Sequence, residues 1–312
     1  MHQQQESLIM LSNTNEANEY RKEFHSYYYE KILPILEQFE AKRKIRQVQQ
    51  SITVQISILL LILSFGSIFF TSPSSHTGAY LMFSGLGGVA LSFYIGQSFT
   101  KEVKKAIFKN FLRFFGKFTW SSTGSISNEE VKKSKLLVNP NYIISRDCFD
   151  GYYKGLRIII SNCRESKGFC GVFMKIELNK RINSQTIVAQ NNVLEKLCSS
   201  RYLMQNVELE DPEFSKMFKI YSRDQTEARY ILTTSFMERF KQLKDVFKSE
   251  SIGASFLENS LFIVIPCIKE MFVLGDLRKP VTDSTQFQEF FDQFLAVLSI
   301  VDVLHLDAKT AV

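Results

Sequence analysis

Residues 52–71 read ITVQISILLLILSFGSIFFT and hold no charged side chain. Wound as a helix, twenty residues rise about 30 Å, the thickness of a bilayer's hydrocarbon core. Thirteen of them are Leu, Ile, Val or Phe. Each such residue favours insertion by about 0.3–0.6 kcal/mol near the bilayer centre, so the run favours a membrane by several kcal/mol. The alternative is a buried core helix, for which so long an uncharged run is unusual. A second run, 79–97 (AYLMFSGLGGVALSFYIGQ), is less apolar. Its small residues Ser84, Gly88, Ser92 and Gly96 recur every fourth position, on one helical face where another helix can approach closely. The spacing predicts that this face packs on the first run, with a homodimer seam as the alternative. The GLGG step has no preceding strand, so it does not read as a phosphate-binding loop.

The connector SPSSHTG is short and uncharged, and both outer flanks are basic: AKRKIR at 41–46 and KEVKK at 101–105. The positive-inside rule then puts both termini in the cytoplasm and the connector outside. The first run starts too far along the chain to read as a cleaved signal peptide. Charge distribution agrees. The net charge is +6, yet the seven basic and seven acidic residues of 1–50 cancel, while 101–118 carry six basic residues against one acidic. The excess sits beside the apolar run, which favours a membrane over nucleic acid, whose recognition wants a basic face across a folded domain.

Residues 15–50 carry Tyr20, Phe24, Tyr28, Ile32, Leu36 and Phe39 at three-and-four spacing, an amphipathic helix that Pro34 should kink or break. Its apolar face packs on the cytoplasmic domain or on a coiled-coil partner. Residues 1–14 read as a disordered tail. Over 101–118, Lys101, Lys105, Lys109 and Arg113 recur every four residues opposite Val103, Ile107, Phe111 and Phe115. This basic amphipathic helix could lie on anionic lipid headgroups or cover the soluble domain. SSTGSIS at 121–127 reads as a linker.

Residues 119–312 mix short strands and helices, which argues for an α+β domain with a mainly antiparallel sheet and a C-terminal helix. NYIIS, LRIIIS, FCGVFMKIEL, QTIVAQ and FKIYS are strand-like, and ASFLENSLFIVI reads as two strands turning at Glu258–Asn259. Ser127 with Glu130 forms a capping box, Asp211 with Pro212 opens a helix, and DSTQ at 283–286 caps the last one. The stretch YSRDQTEARYIL, residues 221–232, holds the densest polar chemistry. Asp224 and Glu227 are spaced as a capping box, and Ser235 with Glu238 as a second. No capping rule uses Arg223 or Arg229, which serve the fold or a ligand.

A catalytic reading of these carboxylates needs a nucleophile, metal or neighbouring base, and none stands out. Asp147 and Asp150 read as turn residues. The four histidines lie far from one another and from cysteines, so a zinc site at ligand spacing is absent; no cofactor motif occurs. Five irregularly spaced cysteines argue for reduced thiols. The chain therefore reads as a non-enzymatic membrane-anchored binding or scaffold module. The alternative is a membrane enzyme of unfamiliar class acting on a lipid or peptide, for which Asp147, Asp150, Asp224 or Glu227 would converge in one pocket.

The order of parts resembles the bacterial family catalogued as Domain of Unknown Function 3137: a helix with a Leu33–Pro34 step, two close spans, then an α+β domain. LEDPEFSKMFKIYSRDQTEARYILTTSFMERF, residues 209–240, is the most similar segment. SRDCFDGYYKGLRIIISNCRES resembles an earlier one, with Asn162–Cys163 where a Ser-Glu step is expected. The resemblance covers about 20 to 304 and implies no reaction. Some members look to be encoded near small membrane-anchored coiled-coil proteins of the LemA type, which implies such a protein as a partner in a membrane complex.

Overall fold

The computed structural model describes residues 15–70, 76–137, 142–165, 168–190, 204–267 and 274–310. The expected tail 1–14, most of the connector and Cys198 lie outside them. The chain divides into two compact units: residues 25–111 with 273–286, and residues 1–24, 112–272 and 287–312.

The first unit is helical. Helix α1 (Asn15–Tyr27) passes through one π turn (Tyr28–Ile32) into α2 (Leu33–Phe70). Pro34 has no N–H, and its ring crowds the carbonyl four residues back. The chain absorbs this without the expected break by widening one turn, so that the Leu33 N–H donates to the Tyr28 carbonyl five residues back. Helix α3 (Thr77–Phe115) is also unbroken. The second apolar run and the basic segment are one helix about 58 Å long, not a span followed by a separate helix over 101–118. The helix ends at Gly116, whose φ of +115° suits glycine. Lys117 and Phe118 already belong to the first strand.

Both apolar helices are long enough to cross a membrane, and only 6% and 11% of their most apolar windows is buried. That burial is far below what a soluble core helix shows. Ile56, Leu59, Leu63, Phe83 and Phe93 are all exposed.

The second unit is built on a seven-stranded antiparallel sheet. Its strands are β1 (Lys117–Thr123), β2 (Ile143–Tyr153), β3 (Leu156–Glu165), β4 (Cys170–Gln190), β5 (Gln205–Asn206), β6 (Phe218–Ser222) and β7 (Gly253–Pro266). The order is β1-β2-β3-β4-β6-β5, with β7 also on β4. Residues 121–123 thus extend β1 rather than a linker. Among the described residues, four helices join it: α4 (Asn128–Ser134), α5 (Pro212–Met217), α6 (Gln225–Ile231) and α7 (Thr234–Val246). The last helix, α8 (Ser284–Thr310), belongs to it from Phe287 onward. The α+β class with an antiparallel sheet and C-terminal helix is borne out.

Strand alternation sorts the core onto two faces. Cys148, Ile159, Phe173 and Phe262 share one face with Val131 of α4. Phe149 faces the other way and meets Phe290 and Phe294 of α8 at ring-centroid distances of 5.6 and 6.3 Å. The expected hairpin at Glu258–Asn259 does not form. Glu258 adopts φ +53°, yet β7 continues past it. Leu261–Ile176 on one side and Phe256–Thr186 on the other keep β7 on β4, whose register slips between Glu177 and Thr186. The two strands bend together at this bulge instead of folding back.

Candidate functional site

In the helical unit, α2 and α3 run antiparallel along a seam of small residues. A Cβ added at Gly88 would collide with Ser57 Oγ, and one at Gly85 would stand 2.8 Å from Leu61 Cγ. Gln50 donates to the Ser92 carbonyl at 3.1 Å, and Ser64 to that of Gly78 at 2.8 Å. Gly96 faces the Gln50 amide. Ser92 is buried but Ser84 is exposed, so the seam passes through Gly85 where four-residue spacing put Ser84. The reason is geometric: at 3.6 residues per turn a strict four-residue row drifts off the contact line.

Below the seam the chain returns to the helices. Arg43, 7% exposed, donates to both Glu40 oxygens (2.9 and 2.7 Å), to Gln47 Oε1 (2.9 Å) and to the Leu277 carbonyl (2.7 Å). Glu40 also accepts from the Val281 N–H at 3.0 Å. Thr100 donates to the Gly275 carbonyl at 3.0 Å. Residues 274–283 are thereby strapped across α2 and α3, with Leu277 and Val281 buried. Hydrogen bonding to Arg43 holds the Glu40 carboxyl below the usual carboxylate range, against the opposing effect of desolvation. Sequence reading missed this clamp, because AKRKIR reads as a simple basic flank and nothing local marks Arg43 as its buried member.

On α3 the side chains of Lys101, Lys105, Lys109 and Arg113 are exposed, while Val103, Ile107, Phe111 and Phe115 are covered by protein. The phenylalanine face is therefore not available to lipid; the basic face is open.

In the α+β unit, Asp224 caps α6, accepting from the Thr226 and Glu227 N–H groups at 2.9 and 3.0 Å. Glu227 does not reach back. Its carboxylate accepts from the backbone of Asn183 (3.0 Å) and Ser184 (2.7 Å), pinning the β4 bulge. The Asp224 N–H goes instead to Ser222 Oγ at 3.2 Å. The second expected box is displaced: Thr233 caps α7 by accepting from the Phe236 N–H at 3.2 Å, two residues before Ser235. Ser235 and Glu238 are thus inside the helix, because α6 ends at Ile231 and the next helix already opens at Thr233. Arg229 donates to the Glu208 carbonyl at 3.3 Å. Arg223 is exposed.

The four carboxylates of the enzyme alternative are engaged separately. Asp147 is no turn residue; it sits in a β2 bulge at φ +47° and accepts from Trp120 Nε1 at 3.2 Å. Asp150, within the same strand, holds Arg157 through two bonds of 3.0 and 2.8 Å. Cys148 and Cys163 are buried and free, and burial pushes the Cys163 thiol up to about 11. Among the described residues no cluster of His, Cys, Asp or Glu could hold a metal ion.

This geometry can be set beside known proteins. Residues 167–306 match the family model described as protein of unknown function DUF3137. The match covers 140 of the 312 residues. The matched span runs from β4 into α8, and so includes the Asp224–Glu227 joint and the strap 274–283. No curated protein matches. A likeness exists to the crystal structure of the mycobacterial trehalose monomycolate transport factor A, at 12% identity over 60% of this chain and 86% of that one, with a TM-score of 0.40.

Proposed function

We propose that this chain is a two-pass membrane anchor that presents an α+β binding module at the cytoplasmic face of a bacterial inner membrane. The observation that carries the reading is the helical pair: its charge-free lengths, 47–70 and 77–100, pack on each other through small residues and turn apolar side chains outward. Each length rises about 36 Å as helix, a hydrocarbon core plus part of its interfaces. Exposed Tyr80 and Tyr94 lie about 21 Å apart on α3, the kind of placement that interfacial aromatics favour. The basic flanks supply the orientation, with both termini cytoplasmic.

The module works by binding, and the partner class is a membrane-anchored coiled-coil protein, taken from the family resemblance. A pocket enzyme draws no support from carboxylates that each serve a separate fold contact. Topology labelling of whole cells tests the anchor. A cysteine at His76 should react with an impermeant maleimide added outside, and cysteines at Tyr142 or Tyr152 should react only after lysis. Labelling at Tyr142 in intact cells, or release of the chain by alkaline carbonate, would overturn it.

A further inference from the structure

The seam fixes the heights of the cations on the two helices. Ser57 lies against Gly88, and Gln50 reaches Ser92 and Gly96. Because the helices are antiparallel, Arg46 on α2 is level with the last turn before Lys101 on α3, and Lys42 and Lys44 are level with the turn after it. On both helices the first charge appears at the same depth. Lys42, Lys44, Arg46, Lys101 and Lys105 then fall within a slab about 10 Å thick, as does half-buried Lys104. Lys42 lies over the Phe39 ring at 5.1 Å. Acidic groups at or just beyond this level are Glu40, which Arg43 engages, and exposed Glu37 and Glu102.

Continuity of α3 excludes the rest of its basic row from the same layer. Lys109 and Arg113 are about 12 and 18 Å beyond Lys101 along one axis. The attraction of an anionic surface fades within a Debye length, about 8 Å at physiological salt. A helix lying flat in the interface would have brought all four cations to lipid; a helix that leaves the membrane end-on does not.

Resting on the two-span reading, we propose that α2 and α3 together form a collar for anionic phospholipid headgroups, made of Lys42, Lys44, Arg46, Lys101 and Lys105, in which Arg113 has no part and Lys109 only a marginal one. Arg43 is excluded by its clamp. The ligand is a phosphodiester headgroup held in the bilayer. Each cation at a charged surface strengthens binding about fivefold, with long Lys and Arg stems carrying their charges up to the phosphates.

The test uses the full chain in detergent micelles, titrated with phosphatidylglycerol or phosphatidylcholine and followed by thermal shift. Wild type should respond to phosphatidylglycerol at tenfold or lower concentration than to phosphatidylcholine, and high salt should remove the difference. Soluble glycerol phosphate should produce no shift, separating a bilayer lipid from a free phosphate site. The variant K42Q/K44Q/R46Q/K101Q/K105Q should lose the preference, and K109Q/R113Q should keep it to within threefold. Retention by the first variant, or loss by the second, overturns the collar; loss confined to the second would point to the lower row as the lipid contact. Alkaline carbonate extraction separates the two ideas. Release of wild type from membranes defeats the anchor itself, whereas an integral chain without headgroup preference defeats only the collar.

Discussion

Replacing Arg43 by alanine should open the strap. The guanidinium makes four hydrogen bonds, two of them to Glu40, and the two side chains are 9% and 18% exposed. Its removal strands a mostly buried carboxylate and leaves the Leu277 carbonyl without its donor. Breaking a buried pair from one side costs about 3–5 kcal/mol. Glu40 keeps the Val281 N–H and some solvent, so the lower end, about 3 kcal/mol, is the appropriate figure. Each 1.4 kcal/mol is tenfold, so strap opening should become on the order of a hundredfold more frequent. Hydrogen–deuterium exchange on the full-length protein reads this directly. A peptide covering 275–286, which includes the Val281 amide, should exchange about a hundred times faster. A β3 peptide covering 158–163 should not change. The double variant E40A/R43A should recover part of the protection, since no charge is then left buried. An R43A strap that exchanges within threefold of wild type would refute the assignment, as would a double variant less protected than R43A.

Acid should loosen the same strap. Glu40 is held below its ordinary 4.5 by Arg43, so its contribution is present above that value and lost as pH falls through the depressed one; strap exchange, corrected for intrinsic rates, should rise below about pH 4.5. In the seam, Gly88→Val should lower the stability of the detergent-solubilised helical pair by about 1–3 kcal/mol through overpacking against Ser57, whereas Ser84→Val should change it little; equal losses would contradict the seam. Glu227→Ala should destabilise by about 2 kcal/mol, because it frees two backbone donors at the β4 bulge, and Asp224→Ala by about 1 kcal/mol; thermal unfolding that reverses this order would contradict the pinning role. Alkylation of the native protein should modify half-buried Cys170 well before Cys163, whose burial raises its thiol to about 11; the opposite order in a mass-spectrometric time course would be inconsistent with the fold.

The two apolar runs were legible because a charge-free stretch of that length leaves few alternatives. The sheet was legible in class but not in connection. Each half of ASFLENSLFIVI is strand-like by itself, and a polar Glu258–Asn259 step looks the same whether the chain turns back or only bulges. What decides is the neighbouring strand β4, far away in sequence. Asp224 acts locally, accepting from groups two and three residues ahead, so spacing sufficed to place it. Glu227 sits at the spacing of a capping box but spends its carboxylate on Asn183 and Ser184, forty-odd positions away. Arg43 is the extreme case. It is one of four cations within five residues, and its burial depends on Leu277, 234 positions later. Local rules find what bonds locally; the clamp and the pinned bulge are made by segments that meet only in the folded chain.

The division of the chain into units has a consequence for the order of its birth. The helical hairpin emerges from the ribosome before the sheet, yet the strap that finishes it, within 273–286, follows β7. The other unit waits in the opposite sense. Phe24, made before the hairpin, stacks at 4.2 Å on Phe291 of α8, made after the strap. Neither unit can close until α8 has begun to form. A fragment cut at the apparent boundary, starting at 119, would keep the strap without the helices it crosses, exposing Leu277 and Val281, and would lack Phe24 against α8. Such a fragment should aggregate more readily than one that keeps residues 15–118.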